Sequence, residues 1–332
     1  MAESVMRAVR IARFGGPEVL ELARLPLPEP GPGEVRVRVA SSGVNRADVI
    51  QRRGRYPAPP GWPDDVPGLE YAGTIEAVGA GVRRVAPGDA VMGLVGGGGY
   101  AEAVVVGERE VVRVPEEMDP ATAGAVPEVF MTAWDALFGQ MRLASGETLL
   151  VHAVGSGVGT AAVQLARAAG ARVLGTSRTP DKLRRASELG MDVGIAGVAG
   201  EWPEAVLEAT GGTGVDVVLD LVGAPYVAGN QKVLAERGRW IVVGVTGGAA
   251  AELDMRALMG KRASITGTVL RARPAEERMA LARGFETRVV PLFERGVLRP
   301  VVDRTFPPEE VGEAHRTMEE DRSFGKLLIV WA

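Results

Sequence analysis

No cysteine occurs in the 332 residues, and histidine occurs only as His152 and His315. Disulfides, thiolate nucleophiles and every zinc site that needs a cysteine ligand are therefore excluded, and two imidazoles are too few to build a metal centre easily. Aromatics make up 5 % of the chain, and no stretch of about 18 apolar residues runs without a charge, so no membrane span is expected. Met1 to Arg10 contains no apolar core of signal-peptide length, which leads to the expectation of a soluble, cytoplasmic protein. A net positive charge is also lacking. Lysine plus arginine minus acids is 38 − 42 = −4, so no basic field is available to gather nucleic acid or anionic lipid.

Side-chain amides are confined to Asn45, Asn230, Gln51, Gln140, Gln164 and Gln231, and arginine far outnumbers lysine. Heat selection would produce that pattern. A GC-rich genome would do so equally, and eleven methionines argue against heat selection.

What is present is a long chain with 46 % hydrophobic residues, enough for two cores. From Val35 to Val114 short apolar or alternating runs are broken by Gly and Pro, the pattern of an all-β segment: Val35 to Ala40, Gly73 to Val78, Ala90 to Leu94, Ala101 to Val106 and Val111 to Val114. Residues 52–63 carry Pro57, Pro59, Pro60 and Pro63 and must be loop. After Pro120 strands alternate with helices of about ten residues, which requires a parallel sheet covered on both faces. Six strands are expected at Thr148 to Ala153, Arg172 to Thr176, Val193 to Ala196, Val215 to Leu221, Arg239 to Val245 and Ser264 to Val269. The predicted fold class is α/β, a doubly wound Rossmann sheet plus a mainly β domain, with the tail rejoining the latter. The expected bounds are 1–122 and 269–332 for the β domain and 123–268 for the Rossmann domain.

The strongest local signal runs from Thr148 through Gly155, Ser156, Gly157, Val158 and Gly159 into an amphipathic helix. Small residues there let the backbone approach a pyrophosphate, and the first-turn N–H groups face its charge. At the end of the next strand, Ser177, Arg178, Thr179 and Lys182 offer hydroxyls and cations where an NAD site would present an acid. That set suits the 2′-phosphate of NADPH. Asp181 reads instead as an early helix residue favoured by the helix dipole, and His152 as a satisfied interior imidazole.

Spaced motifs over nearly the whole chain resemble those of the medium-chain dehydrogenase/reductase superfamily, and within it the zinc-free quinone oxidoreductases related to zeta-crystallin. The resemblance is carried by 43–48 (GVNRAD), 67–73 (PGLEYAG), 98–102 (GGYAE), Thr132-Ala133 and Gly325-Lys326. It implies that the β domain is GroES-like. It implies further that Asn45 and Tyr56 line the acceptor side beside the nicotinamide, with Tyr56 orienting or protonating the acceptor. Thr132, Val243, Gly244 and Lys326 match positions around the nicotinamide or phosphates. Zinc-dependent relatives carry a cysteine near Asn45 and a histidine at Leu69, so zinc is not expected, and Glu70 is expected to be structural. A tyrosine that relatives place after the third Rossmann strand is missing at Ile195-Ala196-Gly197.

The resemblance thus implies an NADPH-dependent reductase of quinones or other small conjugated carbonyls, its pocket built from loops at Tyr56 to Trp62 and Leu270 to Arg273. Reduction of enals, enones or enoyl thioesters is the sister alternative, and a non-catalytic dinucleotide- or RNA-binding crystallin-like role is the rival class. The apolar run Ser264 to Leu270 at the sheet's end leads to the expectation of a homodimer.

Overall fold

The computed structural model describes residues 4–197 and 200–331. The outermost ends of the expected domain ranges, residues 1–3 and 332, lie outside them. The chain divides into two compact units, one running to Met131 and resuming at Leu270, the other spanning Thr132–Val269. The first boundary lies nine residues beyond the expected 122/123, because the start of the helix Pro127–Trp134 belongs to the β unit. There the Glu128 N–H donates to Glu70, and Phe130 meets Phe293 edge-on at 4.8 Å.

The β unit is built on a seven-stranded sheet. Its order is Val302–Phe306, Lys326–Val330, Glu34–Val44, Glu70–Val78, Ala90–Leu94 and Val112–Arg113, with Ala103–Gly107 paired to the central Glu34–Val44. Valines 35, 37 and 39 alternate inward from that central strand and meet Tyr71, Ile75, Val91, Leu327 and Ile329 in one core. The tail therefore returns as two strands at one end of this sheet, Lys326–Val330 against Glu34–Val44 and Val302–Phe306 outside it. Sequence reading missed the antiparallel hairpin Val5–Ile11 with Leu20–Pro26, whose second strand is too exposed to show a clean apolar period.

The second unit carries six parallel strands in the order Val193–Ala196, Arg172–Ser177, Thr148–Val151, Val215–Asp220, Leu234–Val242, Ser264–Gly267. This is the doubly wound order, with its switch point beside Thr148–Val151. The strands next to it are buried almost throughout, as helices on both faces demand. Two elements differ from the sequence pattern, which by itself suggests a helix over Tyr226 to Ala235 and a fifth strand starting only at Arg239. The helix expected over Tyr226 to Ala235 is a short 3-10 turn Ala224–Tyr226 followed by Val227–Val233, and its last residues, Leu234 and Ala235, already belong to the fifth strand.

Candidate active site

In the Rossmann-type unit, the turn after Thr148–Val151 holds Ala153 in the left-handed region at φ 49°. The chain then enters the helix Gly157–Ala168 with Ser156 as its N-cap, its Oγ accepting from Gly159 N–H at 3.0 Å. Gly159 has no room for a side chain. A Cβ there would lie 2.6 Å from the Val154 carbonyl, so the glycine lets helix and strand pack closely. A Cβ on Gly155 would lie 2.8 Å from the Lys182 stem, which places that lysine over the glycine turn. Ser177 is nearly buried, its Oγ accepting from Thr179 N–H, while Arg178 and Thr179 are exposed at the strand's end. Asp181 pairs with Arg184 at 2.7 Å, as suits a helix-start acid.

Val243 and Gly244 form the turn leaving the fifth strand, both N–H groups donating to the Asp220 carbonyl. Thr132, 7 % exposed, keeps its Oγ1 buried with no hydrogen-bond partner, a polar atom that a ligand can satisfy. Small residues at the turn, helix N–H groups and this unmatched hydroxyl together fit a dinucleotide.

His152 is fully buried and engaged. Its Nε2 lies 2.6 Å from Asn230 Oδ1 and its Nδ1 2.9 Å from Thr176 Oγ1. The Asn230 amide donates to Asp220, so its oxygen must accept from His152 Nε2–H, which leaves Nδ1 to accept from Thr176. Burial holds the imidazole below its ordinary pKa. It is a structural histidine.

A phenol does stand close to the place of the missing tyrosine. A Cβ on Gly197 would lie 3.1 Å from the Tyr226 hydroxyl, so a phenol from the segment after the fourth strand reaches the place where the third strand ends. The positive charge of Arg178 acts on that phenol, though burial raises its pKa overall.

In the β unit, Asn45 starts the helix Arg46–Arg52 and is 8 % exposed. Its Nδ2 donates to Glu70 Oε1 at 2.8 Å and its Oδ1 accepts from Lys326 Nζ at 2.7 Å. Lys326 also donates to Glu70 at 2.6 Å and to the Val44 carbonyl at 2.9 Å. Its ammonium thus has three partners, which hold Lys326 beside Asn45. Glu70 Oε2 accepts from the Glu128 backbone N–H, so the carboxylate is held by a lysine, an amide and a helix start. Gly43 makes the cluster possible, since a Cβ there would lie 2.1 Å from the Glu70 carboxylate. No group of three or more His, Asp or Glu able to hold a metal occurs among the described residues.

Tyr56 lies in the proline-rich loop, part-buried, with the Arg271 guanidinium 4.9 Å from its ring centre. The two segments expected to shape the pocket, Tyr56 to Trp62 and Leu270 to Arg273, thus meet. Burial raises the phenol's pKa, Arg271 opposes the rise, and Glu128 adds to it. Glu128 itself is pushed up to about 8, first by burial and next by the Glu70 charge. Neither Arg271 nor Glu128 stood out in the sequence, because a lone arginine or glutamate carries no motif.

Residues 31–116 match the alcohol dehydrogenase GroES-like domain family, and residues 157–285 match the zinc-binding dehydrogenase family. The quinone oxidoreductase of Lama guanicoe is 33 % identical over 339 residues, covering 99 % of this chain and 98 % of its own. Among solved structures, an NAD-dependent alcohol dehydrogenase is 36 % identical at a TM-score of 0.88, covering 98 % of this chain and all of its own. A mycobacterial protein complexed with NADPH is 28 % identical at a TM-score of 0.86, with the same coverage.

Proposed function

The chain belongs to the medium-chain dehydrogenase/reductase superfamily, and from that premise we propose that this oxidoreductase uses NADPH to reduce quinones without zinc. The observation that carries the reading is the buried Asn45–Glu70–Lys326 cluster. Where zinc-dependent relatives place a cysteine and a histidine, this chain has Asn45 and Leu69, and the amide is already engaged with the Glu70 carboxylate and the Lys326 ammonium. A site with no Lewis acid suits an acceptor that is activated by conjugation, as a quinone is.

When bound, the reduced cofactor supplies a hydride. The turn at Gly155, Ser156, Gly157, Val158 and Gly159 is suited to the pyrophosphate, with Val243, Gly244 and Thr132 around the nicotinamide half. Ser177, Arg178, Thr179 and Lys182 are suited to the 2′-phosphate by hydroxyl and cationic donors. Tyr56 donates from its hydroxyl to the acceptor oxygen as negative charge grows there, and Asn45, fixed by two partners, sets the wall beside it. Solvent supplies the remaining proton of the hydroquinone. The exposed end of the six-stranded sheet favours a homodimer, and no helix among the described residues is long and apolar enough to cross a membrane.

The test is oxidation of NADPH and of NADH with and without a simple quinone, in the wild type and in Arg178→Ala/Lys182→Ala. Quinone-dependent oxidation is expected, with the double variant losing NADPH affinity by about 1.5 to 3 kcal/mol per contact and NADH affinity hardly at all. Equal losses for both cofactors would refute the 2′-phosphate assignment. No quinone stimulation would refute the acceptor class.

A further inference from the structure

We propose that Arg271 is a positioning residue for the acceptor site, a clamp that fixes Tyr56 by tying three separate segments to one guanidinium. The proposal rests on the reading of Tyr56 as the group that faces the acceptor. Arg271 is 8 % exposed. Its Nε donates to the Gly96 carbonyl at 2.7 Å, its Nη1 to the Tyr56 carbonyl at 3.1 Å, and its Nη2 to Gln51 Oε1 at 2.6 Å. The same guanidinium lies over the Tyr56 ring.

The loop needs such a tie. Pro57, Pro59, Pro60 and Pro63 bring no N–H, so few backbone bonds can hold the segment. Those on either side of Tyr56 run from Gly54 N–H to Gln51, Arg55 N–H to Ile50, Ala58 N–H to Asp64 Oδ1 and Trp62 N–H to Pro59. Tyr56 lies between them, and its carbonyl is taken by Arg271. Gln51 is in turn fixed, donating through Nε2 to the Asp64 carbonyl at 2.9 Å, so helix, loop and arginine close a ring of bonds.

Charge adds a second effect. The three direct acceptors are neutral oxygens; burial lowers the Arg271 pKa, and the charges of Asp48, Glu128 and Asp64 oppose that from beyond contact. Its field falls on the Tyr56 ring, where it favours negative charge on the phenol oxygen and on an acceptor bonded to it. A lysine keeps the charge but cannot reproduce a planar fork that reaches three oxygens in different directions.

The test compares Arg271→Lys, Arg271→Met and Gln51→Ala with the wild type by limited trypsin digestion. Arg53 and Arg55 are exposed beside Tyr56, so cleavage after them reports release of the loop without reference to activity. Each variant is expected to be cut there about 10-fold faster while its melting stays cooperative. Gln51→Ala keeps the guanidinium and removes one anchor, which covers the case that an Arg271 variant fails to fold. Unchanged cleavage in all folded variants overturns the clamp.

Kinetics then locate its effect. Arg271→Lys should lower kcat about 10-fold at unchanged KM for the dinucleotide, and the loss should shrink to about 2-fold in a Tyr56→Phe background. Losses that simply multiply would overturn action through Tyr56. Faster cleavage with a silent Tyr56→Phe would instead leave the clamp standing and remove the acceptor role of Tyr56.

Discussion

Glu128 puts a carboxyl next to the groups that face the acceptor, and its environment decides which form it takes. It follows Pro127 in the first turn of its helix, where the dipole favours an anion. Burial and the neighbouring Glu70 charge outweigh that, and the pKa is pushed up to about 8. At neutral pH the group is a neutral acid. As pH rises through about 8 it ionises, raises the Tyr56 phenol further and opposes negative charge on the acceptor oxygen. Quinone-reducing kcat is therefore expected to fall above about pH 8 along a single-proton limb. Glu128→Gln should abolish that limb while keeping the plateau within about 3-fold. The sign for stability agrees: a raised carboxyl pKa contributes stability at low pH that is lost through about 8, so the Gln variant should melt higher at pH 9. A limb that persists in Glu128→Gln would show that another group carries it.

Elements differ in how far they could be read ahead. The glycine turn and its helix were legible because several demands coincide there: an apolar strand, a cap at Ser156 and a Gly159 that the Val154 carbonyl leaves no room to replace. The strand Ala90–Leu94 has its expected bounds for the same reason, period and punctuation agreeing. The helix Ala275–Arg288 was not seen because its apolar residues form no clear stripe, with only Leu281, Ala282 and Phe285 buried. What sequence could not give is which distant residues share a bond. Arg271 on Tyr56, Lys326 on Asn45 and Glu128 on Glu70 are separated by 215, 281 and 58 positions.

The same limit hides a buried polar network that joins two helices of the β unit. Arg52 in Arg46–Arg52 donates to His315 Nδ1 in Val311–Glu319, so the proton sits on Nε2, which faces the Tyr100 oxygen at 3.3 Å. Tyr100 in turn donates to Asp48 at 3.0 Å. Burial, reinforced by the Arg52 charge, drives His315 down to about 3, and burial raises Asp48 to about 6. The two act in opposite senses. A depressed histidine gives stability present above about 6.5 and lost as pH falls towards 3, whereas a raised aspartate gives stability present below about 4 and lost as pH rises through 6. At about 1.4 kcal/mol per pK unit the histidine can contribute about 5 kcal/mol and the aspartate about 3. Between about pH 6 and 4 the two nearly cancel, so net acid sensitivity is expected below about pH 4, where the histidine alone still titrates, and His315→Gln should flatten the fall of Tm there. A slope as steep as wild type would assign acid sensitivity elsewhere.

At the scale of the whole molecule, the open question is what covers the end of the six-stranded sheet. Ser264–Gly267 is its last strand and, among the described residues, pairs on one side only, with Leu234–Val242. The chain's own tail does not extend it, because Val302–Phe306 and Lys326–Val330 belong to the seven-stranded sheet. Unpaired strand edges recruit partners, and a second copy across a two-fold axis meets the same bonding pattern with itself. Side chains nearby are apolar and open: Val269, directly after the strand, is 56 % exposed, and Met255 and Met259 on the preceding helix are more so. Light scattering is expected to give twice the chain mass of 34.8 kDa. Val269→Asp would set two acids close together about the axis, adding like-charge repulsion to lost apolar burial, and should shift the protein towards monomer at micromolar concentration. Dinucleotide affinity should stay within about 2-fold, since the glycine turn lies at another strand of the sheet. A monomeric wild type, or a Val269→Asp variant as dimeric as its parent, would rule out pairing through this edge.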